Sequence, residues 1–287
     1  QVLDAAAAFK HGLREGTVKR SLEGKTVALI FQKPSTRTRV SFETAVYHLG
    51  GHPIALGASE LQLGRGETIA DTGRVLSRYV DAIALRTFGH EEVVELAKAA
   101  RVPVINALSD LEHPCQILAD LMTIAERMGK LGGIKLAYVG DGNNVAKSLA
   151  LGCALAGMRF SAGCPRGYEP DRAILQLARS LAGEDKVTVA HKAKEAVSKA
   201  HVVYTDVWVS MGQKDDQRRR KDLEPFRVDG ELLAAADAEA IVMHCLPAHR
   251  GEEITDEVMD GPRSAVWDQA ENRLHAQAAL LDLLIGE

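Results

Sequence analysis

The sequence has few cysteines, and they show no pairing pattern. Cys115, Cys153, Cys164 and Cys245 are scattered along 287 residues, with no Cys-x-x-Cys pair. Disulfide frameworks and cysteine-built metal cages depend on clustered cysteines, so neither is expected here. The scattered thiols predict a reducing compartment, the cytoplasm.

The sequence also lacks long apolar runs and an excess of positive charge. No stretch approaches the length of a membrane-spanning helix, and the opening residues do not have the pattern of a signal peptide. The formal net charge is −4 with 26% charged residues, whereas a general nucleic-acid binder is usually basic. We therefore expect neither a membrane nor a nucleic acid as partner.

Two nucleotide-binding motifs are absent or incomplete. The sequence has no GxxxxGK[ST] loop and no evident acidic magnesium site. The turn GDGNN at 140–144 resembles a dinucleotide-binding turn, but it lacks the G-x-G-x-x-G spacing. The strand that follows, MRFSAG, does not end in the acidic residue that would bind a ribose. The sequence therefore predicts no metal and no nucleotide cofactor.

What the sequence does contain is a regular alternation of β-rich runs and stretches with helical periodicity. The β-rich runs are TVALIF (26–31), DAIALR (81–86), VPVINA (102–107), IKLAYVG (134–140), HVVYTD (201–206) and AIVMHC (240–245). Such alternation indicates βαβ units and parallel sheets covered by helices. We predict an α/β protein of two domains, 1–131 and 132–265, each a parallel sheet flanked by helices. The amphipathic last helix, about 266–287, is expected to pack back on the first domain.

Polar side chains follow the predicted strands. Ligands of open α/β sheets bind beyond the carboxyl ends of the strands. Six strand ends carry reactive or charged groups, in the segments KPSTRTR, RTFGH, SDLEHPCQ, GDGNN, DVWVSMG and CLPAHR. Six such ends in two sheets predict an active site in the cleft between the two domains.

The segment after the first strand is suited to hold an anion. Ser35 can cap a helix that begins near Thr36, and the exposed N–H groups of a helix start attract phosphate. Arg37 adds a planar guanidinium that matches phosphate oxygens. Arg39 lies two residues further and points elsewhere, so we assign it a carboxylate partner. A helix start that is merely solvated explains these residues equally well. If the segment does bind a phosphate, binding without a metal favours an acyl phosphate over ATP as the ligand.

Two other segments carry side chains with chemical potential. His113 and Gln116 are three residues apart and share a helix face, where they can donate to a carbonyl oxygen and recognise an amide. Taken alone, a capping histidine and a surface glutamine are the simpler interpretation. Cys245 follows His244, but neighbours on a strand face opposite ways, so the two are not expected to form a nucleophilic dyad.

The order of the motifs resembles that of a known family. STRTR at 35–39 and HPCQ at 113–116 are similar to motifs shared by carbamoyltransferases. DVWVSMG at 206–212 and HCLP at 244–247 are more specific, and with them the chain resembles the ornithine carbamoyltransferase family over essentially its whole length. The resemblance implies transfer of the carbamoyl group of carbamoyl phosphate to the δ-amine of L-ornithine, with no cofactor and no metal. It also implies a homotrimer or a multiple of trimers.

The resemblance implies a role for each matching residue. Arg86, His113 and Thr38 would surround the carbonyl oxygen that becomes negative, and with Cys245 they form the expected catalytic group. The implied carbamoyl-phosphate contacts are Ser35, Thr36, Arg37, Thr38, Gln62 of a neighbouring subunit, Arg86, His113, Gln116, the carbonyls of Cys245 and Leu246, and Arg273. The implied ornithine contacts are Asn144, Asp206, Ser210 and Met211.

Some departures and alternatives stay open. The loop LQLGRGE at 61–67 matches a family loop that often carries a lysine where this chain has Gly66, so that phosphate role falls to Arg65 or is lost. Putrescine or another amine or amino acid is the nearest alternative acceptor, although Asp206 and the intact SMG motif suit an α-amino-acid end. A non-catalytic anion- or amino-acid-binding protein is the alternative of another class, and the intact catalytic group argues against it.

Overall fold

The computed structural model describes residues 1–63, 66–209 and 216–287. Its strands are β1 (Thr26–Phe31), β2 (His52–Gly57), β3 (Ala82–Arg86), β4 (Val104–Leu108), β5 (Lys135–Val139), β6 (Arg159–Gly163), β7 (Val187–Ala190), β8 (Val202–Thr205) and β9 (Ile241–His244). Its helices are α1 (Val2–Glu15), α2 (Thr36–His48), α3 (Ile69–Leu76), α4 (His90–Ala99), α5 (Pro114–Met128), α6 (Asn144–Leu155), α7 (Arg172–Ala182), α8 (Ala193–Val197), α9 (Gln217–Leu223), α10 (Gly230–Ala234), α11 (Asp256–Met259) and α12 (Val266–Ile285).

The alternation predicted from the sequence is confirmed. The six predicted β-rich runs correspond to β1, β3, β4, β5, β8 and β9, with ends that differ by at most two residues. The sequence pattern did not reveal β2 and β7, which lie at the edges of their sheets and are only partly buried. An edge strand covers less apolar surface than a central one, so its sequence carries a weaker hydrophobic run.

The strands form two parallel sheets. The first has the order β2-β1-β3-β4 and the second the order β7-β6-β5-β8-β9. In each sheet the chain first extends to one side of a starting strand and then continues on the other side. Such a reversal creates a crevice at the carboxyl ends of two adjacent strands, and ligands of open α/β sheets bind there. The crevices lie between β1 and β3 and between β5 and β8.

Contacts within the chain divide it into two compact units. Unit 1 comprises Gln1–Met122 and Glu271–Glu287, and unit 2 comprises Thr123–Ala270, so the division falls inside α5. The first sheet belongs to unit 1 and the second to unit 2. The described residues contain no helix that is both long enough and apolar enough to cross a bilayer.

Each unit has a core built on its sheet. In unit 1, Leu29 and Phe42 pack with Ala278 and Leu281 of α12, so the last helix belongs to this core. The other face of the same sheet is covered by a separate cluster around Ile30. The central strands are apolar on both faces because both faces are covered, as expected for a parallel sheet.

The core of unit 2 follows the same pattern. Val139, Val203 and Val242 from three adjacent strands pack with Phe226 and Val266. Tyr138 and Tyr204 are fully buried on paired strands, and their ring centroids are 6.1 Å apart. This packing fixes the ends of β5 and β8, which carry the polar residues described below.

Candidate active site

The crevice of unit 1 is fixed by contacts between the ends of β1 and β3. The backbone N–H of Gln32 donates to the carbonyl of Arg86 at 2.9 Å, which extends the β1–β3 pairing by one residue. The side-chain amide of Gln32 donates to Glu92 at 2.7 Å and accepts from the Thr87 hydroxyl at 3.2 Å. The residues after β1 are therefore held beside Arg86, the last residue of β3.

The segment after β1 forms the predicted helix start. Helix α2 begins at Thr36, and the hydroxyl of its N-cap Ser35 accepts a hydrogen bond from the Thr38 N–H at 3.2 Å. The N–H groups of Thr36 and Arg37 precede the first intrahelical acceptor, so they are available to an anion. Arg39 donates to Glu43 at 2.9 Å, which is the predicted carboxylate partner, while Arg37 is exposed.

A hydrogen-bonded group joins three helices of unit 1. One guanidinium nitrogen of Arg273 on α12 donates to the Gln116 side-chain oxygen at 2.6 Å, and another donates to the Thr38 hydroxyl at 3.0 Å. Gln116 in turn donates to Asp120 at 2.8 Å. Because the Thr38 oxygen accepts from Arg273, its own proton is left to donate to a ligand.

His113 lies in the same polar environment. Together, Thr38, Arg86, His113, Gln116 and Arg273 are all at most 7% exposed. Burial, followed by the positive charges of Arg273 and Arg86, holds the pKa of His113 well below the usual value for histidine. The imidazole is therefore neutral near pH 7 and can donate one N–H without adding a further charge.

Lys33 is a member of this environment to which we assigned no role from the sequence. Its side chain is buried, and its ammonium lies 4.2 Å from the ring centroid of Phe88, a cation–π contact. Burial, followed by the charge of Arg86, lowers the pKa of Lys33, and Asp110 opposes that shift. Its position at the start of KPSTRTR favours a contact with the anion. Its proximity to Arg86, however, follows only from the pairing of β1 with β3.

The crevice of unit 2 is organised around Asp206, which follows β8. One carboxylate oxygen of Asp206 accepts from the Asn143 amide at 2.6 Å, and the other accepts from the Cys245 thiol at 2.9 Å. Asp206 is buried, and both of these partners are uncharged. A buried carboxylate of this kind is suited to bind an ammonium group.

The two asparagines of GDGNN have different positions. The Asn143 side chain caps α6, because its oxygen accepts from the N–H groups of Val145 and Ala146 at 2.9 and 3.2 Å. Asn144, the residue assigned to the ornithine carboxylate from the resemblance, is the first residue of α6 and is half-buried. The sequence did not reveal the contact of Asn143 with Asp206, because it joins two strand ends 63 residues apart.

His244 and Cys245 have separate partners. His244 contacts Glu253 through Nε2 at 3.1 Å and accepts the Leu246 N–H at Nδ1 at 2.9 Å. Strand β9 ends at His244, so the alternation rule of a strand does not extend to Cys245, and ligand atoms of the two side chains lie within 4.8 Å. The pair is nevertheless unsuited to act as a dyad, because both ring nitrogens are already engaged.

The backbone after Cys245 is unusual. Leu246 has φ of 59°, in the left-handed region that side chains other than glycine rarely occupy. Such a conformation costs about 1–3 kcal/mol and tends to be kept at ligand-binding sites. This strain supports a role for the segment HCLP in binding a ligand.

Two groups of residues in the described part of the chain have potential metal ligands within 4.8 Å of one another. They are Asp206, His244 and Cys245, and His249, Glu252 and Glu253. In the first group, both nitrogens of His244 and both oxygens of Asp206 already have hydrogen-bond partners. In the second, Glu252 pairs with Arg220, and one oxygen of Glu253 accepts from the backbone N–H of His249. The existing contacts of these side chains are those of structural groups.

For several predicted site residues, the structure gives no contact with other site residues. Gln62 is exposed in the loop after β2. Arg65, Ser210 and Met211 lie outside the described residues, so their predicted roles stay predictions. The structure therefore brings together the predicted residues of α2, β3, α5 and α12 in unit 1, and separately Asp206 and Cys245 in unit 2.

Comparison with known protein families matches most of the chain to one family. Residues 1–126 match the carbamoyl-P binding domain of the aspartate/ornithine carbamoyltransferase family, and residues 132–284 match its Asp/Orn binding domain.

Relatives with similar sequences cover nearly the full chain. The ornithine carbamoyltransferase of Pyrococcus horikoshii is 55% identical over 99% of this chain and 91% of its own length. The anabolic ornithine carbamoyltransferase of Pyrococcus furiosus is 56% identical with the same coverage.

Solved structures of ornithine carbamoyltransferases are also similar to nearly the full chain. The ornithine carbamoyltransferase structure from Pyrococcus furiosus superimposes with a TM-score of 0.96 at 55% identity, covering 99% of this chain and 92% of that one. The structure from Thermus thermophilus gives 0.89 at 45% identity, covering 99% and 93%. Motif order, two parallel sheets with polar switch points, and full-length similarity agree, and the chain belongs to the aspartate/ornithine carbamoyltransferase family.

Proposed function

We propose that this chain catalyses the transfer of the carbamoyl group of carbamoyl phosphate to the δ-amine of L-ornithine, which gives L-citrulline and phosphate. The observation that carries the proposal is the buried group in unit 1, in which Arg273 binds both Thr38 and Gln116 beside Arg86 and His113. These buried side chains offer several N–H donors and one hydroxyl close to one another. Hydrogen-bond donors of this kind stabilise a carbonyl oxygen that becomes negatively charged during a reaction.

The phosphate of carbamoyl phosphate would bind at the start of α2. Ser35 shapes that start, and the N–H groups of Thr36 and Arg37 point out of the first turn. The Arg37 guanidinium is exposed and can form paired hydrogen bonds with phosphate oxygens. Arg86 and the buried ammonium of Lys33 add positive charge close by. Together these groups offset the charge of the phosphate without a metal.

The carbonyl oxygen would lie among Thr38, Arg86 and His113. As the amine attacks the carbamoyl carbon, this oxygen becomes negative, and three preorganised donors stabilise it more strongly than they stabilise the neutral carbonyl. A neutral His113 donates without competing with the arginines for the same counter-charge. Gln116 is held in place by Arg273 and Asp120. Its side-chain oxygen would accept a hydrogen bond from the carbamoyl NH₂ group, and the backbone carbonyls of Cys245 and Leu246 would be further acceptors.

The second substrate would bind in the crevice of unit 2. Asp206 is placed to accept the α-ammonium of ornithine, and Asn144, at the start of α6, suits the α-carboxylate. Holding the α-carbon end would direct the δ-amine toward the carbamoyl carbon, which raises the rate by proximity. Ser210 and Met211 complete the proposed set of ornithine contacts.

Domain roles, assembly and location extend the same proposal. We assign carbamoyl-phosphate binding to unit 1 and ornithine binding to unit 2. A homotrimer in which Gln62 reaches the neighbouring site is the proposed assembly. The cytoplasm is the proposed location, supported by four free cysteines of which three are buried.

The test compares four amine acceptors side by side. Citrulline or the corresponding product is measured with L-ornithine, putrescine, L-aspartate and N-acetyl-L-ornithine at saturating carbamoyl phosphate. We expect a strong preference for L-ornithine, because putrescine has no α-amino-acid end for Asp206. Equal kcat/KM for putrescine and L-ornithine would disprove the assignment of the acceptor.

The Asp206→Ala variant tests the residue that carries this preference. We expect kcat/KM for L-ornithine to fall by at least about a hundredfold, since a buried charge-assisted contact is lost. Asp185→Ala is the matched control, because Asp185 is an exposed aspartate of unit 2. An Asp206→Ala enzyme as active as the control would remove Asp206 from the site.

A further inference from the structure

Arg219 on α9 makes three contacts that the proposed reaction does not use. Its guanidinium forms an ion pair with Asp141, and its Nε donates to the carbonyl of Trp208 at 2.6 Å. It also lies over the ring of Tyr168, 5.1 Å from the centroid. The arginine and aspartate side chains are only 18% and 10% exposed, which distinguishes this pair from ordinary surface ion pairs.

The partners of Arg219 belong to the two strand ends that form the crevice of unit 2. Asp141 follows β5 and lies two residues before Asn143, whereas Trp208 follows β8 and lies two residues after Asp206. Arg219 therefore connects the same two segments that are joined by the 2.6 Å hydrogen bond from Asn143 to Asp206. One side chain thus braces the crevice next to the residue proposed to bind the α-ammonium.

The third contact reinforces this brace. The carbonyl of Tyr168 accepts the Gly142 N–H at 2.8 Å, so the ring under Arg219 belongs to a residue tied to the turn GDGNN. The Tyr168 hydroxyl donates to Asp222 at 3.1 Å, and Asp222 lies on α9 with Arg219. Arg219, Tyr168 and the turn after β5 are consequently one connected group.

The charges of the crevice also depend on Arg219. Asp141 and Asp206 are both buried, and each is close enough to influence the other. Burial raises the pKa of Asp141, and the charge of Arg219 is the main opposing cause. Asp206 has no arginine or lysine within ion-pairing distance in the described part of the chain. Arg219 therefore compensates one carboxylate of the crevice and leaves the other for a cationic ligand.

We propose that Arg219 is a positioning residue for the amino-acid substrate: through Asp141 and the Trp208 carbonyl it fixes the spacing of the β5 and β8 ends. It also neutralises Asp141, so that Asp206 is the carboxylate that receives the α-ammonium. The inference rests on the proposed function, because it concerns the second substrate of that reaction. It predicts an effect on L-ornithine that carbamoyl phosphate does not share.

The experiment compares Arg219→Gln, Arg219→Lys, Asp141→Asn and the Arg219→Gln/Asp141→Asn double variant with Arg218→Gln. Arg218 is the matched control, since it is the neighbouring arginine of α9 and its side chain is 87% exposed. KM for each substrate, kcat and the thermal midpoint are measured for every variant. Binding of L-norvaline is measured by calorimetry, because this amino acid has the α-carbon end and carbon chain of ornithine but no δ-amine to react.

We expect Arg219→Gln to raise KM for L-ornithine about tenfold, equivalent to about 1.4 kcal/mol, and to weaken L-norvaline similarly. KM for carbamoyl phosphate should stay within about twofold of wild type, as should every constant of Arg218→Gln. Arg219→Lys should restore part of the loss, because it keeps the charge but not the second contact. The double variant should be no worse than the worse single variant, since both changes break one contact.

Other outcomes overturn the inference. An unchanged KM for L-ornithine in Arg219→Gln would overturn it. So would KM values that rise equally for both substrates in Arg219→Gln, if the thermal midpoint also falls and Arg219→Lys restores neither KM. If Arg219→Gln does not fold, Arg219→Lys and Asp141→Asn must each raise KM for L-ornithine selectively, or the inference is wrong. A wild-type enzyme that forms no citrulline would refute the proposed function instead, and the L-norvaline titrations would still compare the variants.

Discussion

At the scale of single residues, the crevice of unit 1 concentrates positive charge around one uncharged imidazole. Arg86 and Arg273 are buried beside His113, and Lys33 is buried beside Arg86. The charges of Arg273 and Arg86 both raise the cost of protonating the histidine. This concentration of positive charge favours the binding of an anion such as a phosphate.

The depressed pKa of His113 predicts a pH-dependent contribution to stability. Its pKa in the folded protein lies below the value of about 6.5 in the unfolded chain, so the unfolded chain binds a proton first as the pH falls. The contribution is fully present above pH 6.5 and is lost as the pH falls from there through the folded pKa, by at most about 1.4 kcal/mol per pH unit. Denaturant unfolding of wild type and His113→Gln at pH 7.5 and 5.5 should show a smaller loss in the variant.

His11→Gln is the control for this comparison, because His11 is exposed on α1. It should lose as much stability as wild type between the two pH values. Identical losses in wild type and His113→Gln would mean that His113 is not held neutral by its surroundings.

Arg86 is predicted to contribute mainly to the chemical step. Arg86→Ala should lower kcat at saturating substrates by roughly a hundredfold, the usual result when a donor to a developing oxyanion is removed. Arg39→Ala serves as control, since Arg39 is an exposed arginine paired with Glu43. Steady-state rates near the wild-type value in Arg86→Ala would exclude Arg86 from stabilising the oxyanion.

The residue scale also shows how far sequence reasoning reaches. The cap by Ser35 and the partner of Arg39 were predictable, because both are interactions within one helix turn or two. Lys33, Asn143 and Arg219 were not assigned, because their contacts join segments distant in sequence. Local rules of capping and periodicity determine the first kind of contact, whereas tertiary packing determines the second.

At the scale of elements, the turn after β5 depends on a close backbone approach. A Cβ atom on Gly142 would lie 2.2 Å from the backbone nitrogen of Pro170 and 2.6 Å from the carbonyl oxygen of Tyr168. Neither atom can move without displacing its segment, because the Gly142 N–H is bonded to Tyr168. Gly142 is therefore required by space rather than by an unusual φ.

Gly142→Ala should shift the turn that carries Asp141 and Asn143. We expect a loss of about 1–3 kcal/mol in the free energy of unfolding, the usual cost of overpacking, and a raised KM for L-ornithine. Gly132→Ala is the control, since a Cβ there meets nothing within 4 Å. Unfolding curves and KM values that match the control would show that the approach of the two segments is not tight.

The elements themselves were largely predictable, and the exceptions have physical causes. Strands β1, β3, β5, β8 and β9 read as apolar runs because helices cover both faces of each sheet. The order of strands within the sheets cannot be read from such runs, since every buried parallel strand looks alike. The switch points, which locate both crevices, therefore became visible only in the structure.

At the scale of the whole molecule, the proposed trimer predicts that active sites are shared between chains. The proposed contact of Gln62 with the phosphate of a neighbouring site can be tested because Gln62 is exposed on unit 1. Cyclic trimers have heterologous interfaces, so each chain can lend a loop to the next. Arg37→Ala and Gln62→Glu should each lower activity in a pure trimer.

Mixing the two variants separates a shared site from an unshared one. Refolding Arg37→Ala together with Gln62→Glu should regenerate some sites in which an intact Arg37 meets an intact Gln62 of the next chain. Citrulline formation by the hybrids should then exceed the mean of the two refolded parents, with hybrid formation confirmed by native mass spectrometry. Confirmed hybrids at the parental mean would contradict sharing through Gln62.

The discontinuity of unit 1 has a consequence for the order in which the protein is made. Its first part ends at Met122, but Ala278, Leu281 and Arg273 are supplied by α12, which follows unit 2 in the sequence. During synthesis, unit 2 emerges before the part of α12 that belongs to unit 1, and domains fold as they emerge. A growing chain can thus fold unit 2 while the first crevice still lacks Arg273. The hydrogen bonds of Arg273 with Thr38 and Gln116 therefore form only after α12 has emerged, and a growing chain without α12 lacks part of the proposed phosphate site.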